Sequence, residues 1–222
     1  MSLQTIIDNA TSINVGRTKL ASSTISRSGR IKTGIQAGNQ PFLFNVAMSP
    51  ASLYVNFRNT LEEIDRLDAI FSANINIGST NAGLSWITQY QGDLSSAQLG
   101  QITASTTFAG NTIELGVGSV SGGSSTDVVF KAGDYFTFDS GYKYPYTVVS
   151  DVTLGTGSTI SVTLNRPIIT QSGYTIDNSK GILVGTDVTW QVKMLTKPSY
   201  TITPDRFVEF NGEFELIEVV ED

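Results

Sequence analysis

The residues best equipped for chemistry in this 222-residue chain are carboxylates. Asp127, Asp134, Asp139 and Asp151 fall in one stretch, and Glu62, Glu63, Asp65 and Asp68 surround Arg66 in another. Clustered carboxylates are what a calcium site or an acid/base pair for glycoside hydrolysis requires. The spacing argues against both. The first four lack the Asp-x-Asp-x-Asp-Gly run of an EF-hand, and aspartates in turns commonly cap their own backbone. The second group is interleaved with Leu61, Ile64, Leu67 and Phe71 at spacings of three and four, so it reads as the solvated face of an amphipathic helix. The chain contains no His and no Cys. That excludes Ser-His-Asp and Cys-His nucleophiles, imidazole or thiolate zinc sites, redox dithiols and disulfides. Gly122-Gly123-Ser124-Ser125 is not followed by the Lys-Ser or Lys-Thr of a phosphate-binding loop. No catalytic, cofactor-binding or metal-binding residue is assigned, no cofactor is expected, and the chain reads as a non-enzyme.

The first four carboxylates sit among predicted strands. Short alternating apolar runs at 128–130, 135–138, 146–149 and 160–164 are broken at Ala132-Gly133-Asp134, Ser140-Gly141 and Gly155-Thr156-Gly157, the pattern of a small antiparallel β unit. Flanking it are two longer strands. Phe42, Phe44, Val46 and Met48 share one face of residues 42–48, and Val188, Trp190, Val192 and Met194 share one face of residues 188–194. Trp86 and Tyr90 lie in a segment that could form another strand. Asn211-Gly212 between apolar runs is a hairpin signal, although a two-residue turn would set Phe210 opposite Glu213, so a bulge is expected there. One helix is predicted over about residues 60–72, opened by a capping box from Thr60 to Glu63. The expected class is mainly β, with one packed helix and a framework core of Phe42, Phe44, Leu61, Ile64, Leu67, Trp190 and Val192.

Charge is unevenly spread. Residues 1–50 carry Arg17, Lys19, Arg27, Arg30 and Lys32 against Asp8 alone, a net +4, so the remainder of a chain of net charge −6 carries −10. Only 15% of residues are charged, against about 25% in an average domain. A lightly charged surface is cheap to desolvate and suits burial against other subunits. Residues 1–50 contain a polar, extended region in which residues 17–36 read as a polar hairpin with its tip at Arg27-Ser28-Gly29-Arg30, and Arg27, Arg30 and Lys32 are the candidates for an inter-subunit arm. These cations are not interleaved with aromatics, which argues against nucleic-acid binding. The N-terminal residues lack the basic and apolar regions of a signal peptide, and no apolar run approaches the roughly 20 residues of a spanning helix.

Several stretches resemble structural proteins of tailed bacteriophages. Ser26-Arg27-Ser28-Gly29-Arg30, Gln40-Pro41-Phe42 with its strand, and Tyr54-Val55-Asn56-Phe57-Arg58 leading into residues 61–68 resemble the front of such proteins. Phe130-Lys131-Ala132-Gly133-Asp134-Tyr135-Phe136, Tyr144-Pro145-Tyr146-Thr147-Val148 and Leu164-Asn165-Arg166-Pro167-Ile168 are similar to a β module inserted in minor tail and baseplate proteins, and residues 207–218 to their closing hairpin. The resemblance implies a tail-tube-like β-barrel or sandwich framework (residues 1–98 plus 183–222) carrying an inserted antiparallel β domain (residues 99–182). It further implies a virion subunit, assembled in the host cytoplasm into a homo-oligomeric ring, six copies being one option, with other tail or baseplate proteins as partners. DNA would pass through the channel without sequence-specific binding, and no membrane insertion is implied. The alternative is a receptor- or glycan-binding tail protein whose insertion stacks sugars on Tyr135, Tyr142, Tyr144 and Tyr146.

Overall fold

In the computed structural model, residues 2–17, 21–25, 31–35, 40–49, 52–67, 72–79, 82–139 and 141–220 are described. The chain opens with α1 (Ser2–Asp8), β1 (Ala10–Arg17), the paired β2 (Ala21–Ile25) and β3 (Ile31–Ile35), β4 (Phe42–Met48), β5 (Ser52–Leu53), α2 (Tyr54–Leu67) and β6 (Ala73–Ile75). A 3-10 turn (Ser85–Thr88) and the short α3 (Ser96–Leu99) lead into β7 (Thr103–Ala109), β8 (Thr112–Gly116), β9 (Val128–Phe130), β10 (Tyr135–Phe138), β11 (Tyr146–Thr147), β12 (Val152–Thr153), β13 (Thr159–Thr163) and β14 (Ile182–Val184). A second 3-10 turn (Gly185–Asp187) precedes β15 (Trp190–Thr196), β16 (Ser199–Ile202), β17 (Phe207–Asn211) and β18 (Phe214–Glu218). The protein is mainly β, and its largest sheet is a curled half-barrel.

That sheet has the order β1-β4-β18-β15-β6, every pair antiparallel, so strands from both chain ends interleave. β4 sits inside it with a strictly alternating burial pattern: Phe42, Phe44, Val46 and Met48 point inward. They meet Trp190, Val192, Phe214 and Leu216 from β15 and β18, and Phe57 and Leu61 from α2. A second hydrophobic cluster draws only on residues 94–184, around Phe130, Phe136, Phe138, Tyr142, Tyr144 and Tyr146. Its strands form the small sheets β13-β8-β7, β11-β10-β14 and β12-β9. Side chains also cross the boundary: Tyr135 packs on the first cluster, and Tyr90 and Val220 pack on the second.

Four local expectations are corrected. The helix α2 begins at Tyr54, six residues before the proposed cap, so Thr60 is a buried mid-helix residue. Its first turn does not need that cap, because the Tyr54 N–H donates to the Arg206 carbonyl at 2.9 Å, satisfying one of the donors a helix start exposes. The side chains of Ile64 and Leu67 lie outside the described residues. Asn211-Gly212 does not close a hairpin: β17 pairs with β16 and β5, while β18 joins the half-barrel. The hairpin would have put polar residues opposite apolar ones on a single face. Instead Gly212, at φ 119°, turns the corner between two sheets, so that Val208, Phe214 and Leu216 are all buried. The Trp86 segment is a 3-10 turn and not a strand. Finally, α1 forms where an extended start was expected, burying Leu3, Ile6 and Ile7 on one face.

Candidate functional site

The half-barrel is open at β1. This eight-residue strand pairs with β4 from Ser12 opposite Ala47 to Arg17 opposite Phe42, with a bulge at Thr11, and no described strand pairs with its other side. Ile13 and Val15 lean on the framework cluster, while Thr11, Ser12 and Asn14 face solvent. Free edges are normally guarded by charge, proline or shortness. β1 has no proline and a single charge, Arg17, at its last position. Beyond Arg17 the chain makes the β2–β3 ladder, whose five residue pairs run from Ala21 opposite Ile35 to Ile25 opposite Ile31, and then returns to β4. Of the proposed arm cations, Lys32 lies on β3 opposite Thr24 with its side chain outside the described residues, and Arg27 and Arg30 lie outside them altogether.

Apolar side chains are exposed on the small sheet β16-β17-β5 and next to it. Val55, at the start of α2, is 75% exposed, and Leu53, Ile202 and Leu195 are also exposed. Leu53 is paired with Phe207, and Ile202 is paired with Val208, the next residue along β17. Phe207 and Val208 are consecutive, so the two pairs lie on opposite faces of this sheet.

At the root of the hairpin the two clusters are tied by an ion pair. Arg166, after β13, and Glu218, at the end of β18, have fully buried side chains. Arg166 Nη1 donates to Glu218 Oε2 and Nη2 to Oε1, both at 2.6 Å, a bidentate fork. The same two nitrogens donate to the carbonyls of Gln40 at 3.0 Å and Pro145 at 2.7 Å. The Phe42 N–H donates to Glu218 Oε2 at 3.0 Å. The guanidinium lies 5.1 Å from the Phe42 ring centre and 5.3 Å from that of Tyr146, within cation–π range. Burial pushes the Glu218 carboxyl above the usual carboxylate range, and the Arg166 bonds and the Phe42 amide pull against that shift. Arg17 reaches across the same seam, donating to Thr147 Oγ1 at 2.6 Å and lying 5.8 Å from the Phe42 ring; burial lowers its pKa. Sequence reasoning missed the pair. Arg166 carries no local signal beyond the run Leu164-Asn165-Arg166-Pro167-Ile168, and nothing local distinguishes Glu218 from the other acidic residues of the last strand.

The carboxylates considered first hold turns. Asp134 is buried and accepts the Lys131 and Gln91 N–H groups at 2.8 and 3.0 Å; desolvation raises its pKa against those bonds. Asp127 accepts from Ser124 N–H, Asp139 from Gly181 N–H and the Tyr174 hydroxyl, and Asp151 from Ala132 N–H. The tyrosines proposed to stack sugars are not available for it. Tyr142, Tyr144 and Tyr146 are buried, and Tyr135 packs edge-on against Trp190 at 5.5 Å. The Tyr142 and Tyr146 hydroxyls bond each other at 2.5 Å, and Tyr142 also donates to the Ile169 carbonyl. The physical reason is that the β unit fills its own core with them, packed against Phe130, Phe136 and Phe138. Of the named framework residues, Phe42, Phe44, Leu61, Trp190 and Val192 are all buried in the first cluster. No protein-family model matches the chain, and no curated protein matches its sequence.

Proposed function

We propose that the chain is a structural subunit of a bacteriophage tail or baseplate that assembles with copies of itself, residues 99–182 being an insertion carried by a framework built from both chain ends. The observation that carries this reading is the outer edge of β1, which pairs with no described strand, on an open half-barrel. A row of unpaired N–H and C=O groups is a template for a strand from another chain, and strand addition from a neighbour extends the half-barrel without remodelling its core. The exposed Leu53, Val55 and Ile202 supply apolar area of the kind that subunit contacts bury. The β2–β3 ladder is an arm of roughly 15 Å, long enough to reach a neighbouring copy.

Native mass spectrometry and negative-stain imaging test the reading. The wild-type chain is expected to form rings or tubes, and the double variant Ser12→Lys/Asn14→Lys, which charges the edge, to yield monomers with an unchanged circular dichroism spectrum. A wild-type chain that remains monomeric at every concentration overturns it.

A further inference from the structure

On the side where the chain crosses from one cluster to the other and back lies a groove of about 630 Å³, within the range of about 300–1,000 Å³ typical of ligand sites. One wall is the 3-10 turn carrying Trp86 and Gln89, continuing to Tyr90 and Ser96; the other is the return turn carrying Thr186 and Asp187. Trp86 is 65% exposed, while the other tryptophan, Trp190, is wholly buried. An indole left this open in a groove is a large apolar face with no partner among the described residues. Around it, the side chains of Gln89, Ser96, Thr186 and Asp187 make no hydrogen bond or ion pair with any described residue, so amide, hydroxyl and carboxylate groups all remain free to bond a ligand.

The walls are pre-set. A Cβ on Gly78 would come within 2.4 Å of the Thr186 Cα, and one on Gly185 within 2.9 Å of the Tyr90 nitrogen, so the return turn meets both the loop at Gly78 and the Thr88–Tyr90 segment through glycine. A capping box between Ser95 and Gln98 fixes the segment bearing Ser96. Tyr90 is anchored by donating to the Val129 carbonyl at 2.5 Å. The lining holds one anion and no cation, which disfavours phosphorylated, nucleic-acid and acidic-peptide ligands. A neutral polyhydroxylated ring fits each element: its C–H face stacks on the indole, and its hydroxyls donate to Asp187 and exchange hydrogen bonds with Gln89, Ser96 and Thr186.

From this geometry we infer that the groove is a binding site for a neutral saccharide, with Trp86 as the stacking platform and Asp187 as the principal acceptor. The inference goes beyond the assembly reading and does not depend on it. Tryptophan fluorescence tests it directly, because Trp86 is the sole solvent-facing indole. The full-length chain is titrated with maltoheptaose, cellohexaose, chitohexaose, xylohexaose and mannohexaose, with inorganic phosphate as the comparator. At least one sugar is expected to shift the emission to the blue and saturate by millimolar concentration, while phosphate does nothing. By calorimetry, Trp86→Ala should weaken that sugar by about tenfold or more, Trp86→Tyr should keep most of the affinity, and Asp187→Asn should weaken it by several-fold. Silence across the panel overturns the inference, as does a bound sugar indifferent to Trp86→Ala. A blue shift that follows protein concentration instead of sugar also overturns it, and assigns the groove to contact between copies.

Discussion

Replacing Glu218 by Gln is the sharpest test of how the two clusters are held together. The change is nearly isosteric, so it opens no cavity and isolates the electrostatics. In the native chain the carboxylate takes two bonds from Arg166 and one from the Phe42 N–H, with both charged side chains fully buried. A single amide oxygen cannot satisfy all three donors, and its own NH2 group would face the guanidinium. Arg166 keeps the Gln40 and Pro145 carbonyls and two aromatic faces, but its charge is left without a counter-ion. Breaking a buried pair in this way costs about 3–5 kcal/mol. For a chain of this size that corresponds to a fall in Tm of roughly 6–20 °C. Because Arg166 and Pro145 belong to one side of the seam and Glu218, Gln40 and Phe42 to the other, the calorimetric transition should also broaden or split. The double variant Arg166→Met/Glu218→Leu should recover most of the loss. A loss below about 1 kcal/mol for Glu218→Gln would show that the pair behaves as a solvated surface bridge and refute the reasoning.

Two further outcomes follow from burial. Desolvation raises the pKa of Tyr90 to about 12 from 10, and raises those of Tyr135, Tyr142, Tyr146 and Tyr174 as well. With folded values above unfolded ones, the stability these groups contribute is complete below the unfolded pKa near 10 and, for Tyr90, is lost as pH climbs through about 12. Phenolate absorbance should therefore lag behind that of the urea-unfolded chain and then rise together with unfolding; titration of all eight tyrosines near their ordinary value in the folded chain would contradict this. Gly78→Ala should destabilise the chain by about 1–3 kcal/mol in urea melts, since its methyl would overlap the Thr186 backbone, and an unchanged melt would mean that the loop at Gly78 does not meet the return turn.

What was legible in the sequence was what is local and periodic. The alternation at Phe42, Phe44, Val46 and Met48 survives unaltered in the burial of β4, because a central strand with one buried face leaves no other register. The mainly β class follows from such runs. Signals with two possible uses were misread. A Thr-x-x-Glu pattern marks a helix start only when the preceding residues are not themselves helical, and Tyr54 to Asn59 are. The capping box that does form, Ser95 with Gln98, has the same Ser/Thr-x-x-Glu/Gln signature and went unread because α3 is only four residues long. Tyrosines in a turn-rich stretch suggested an exposed platform, yet the tertiary structure used them as core. Arg166 and Glu218 lie 52 residues apart, and only the folded topology brings them together. Trp86 was noted, but what makes it unusual is its exposure beside a return turn nearly a hundred residues away, which no local pattern reports.

The seam and the open edge are mechanically connected. Phe42, whose amide Glu218 binds and whose ring both arginines face, is the first residue of β4 and is paired with Arg17, the last residue of β1. These two residues are where the β2–β3 ladder leaves the half-barrel and re-enters it. Arg17 in turn is tied to Thr147 of the second cluster. The buried pair therefore sets the root from which the arm projects, as well as joining two cores. An arm that must meet a neighbour in a fixed direction needs a rigid root, and a forked guanidinium held by four oxygens and two rings resists bending more than apolar contacts of the same area, which can slide. On the proposed reading this explains why the chain keeps a desolvated ion pair at a place where a hydrophobic pair would be at least as stable. It also separates the two kinds of damage. The apolar replacement Arg166→Met/Glu218→Leu should restore the melt, yet leave the arm less precisely aimed and assembly weaker than in the wild type.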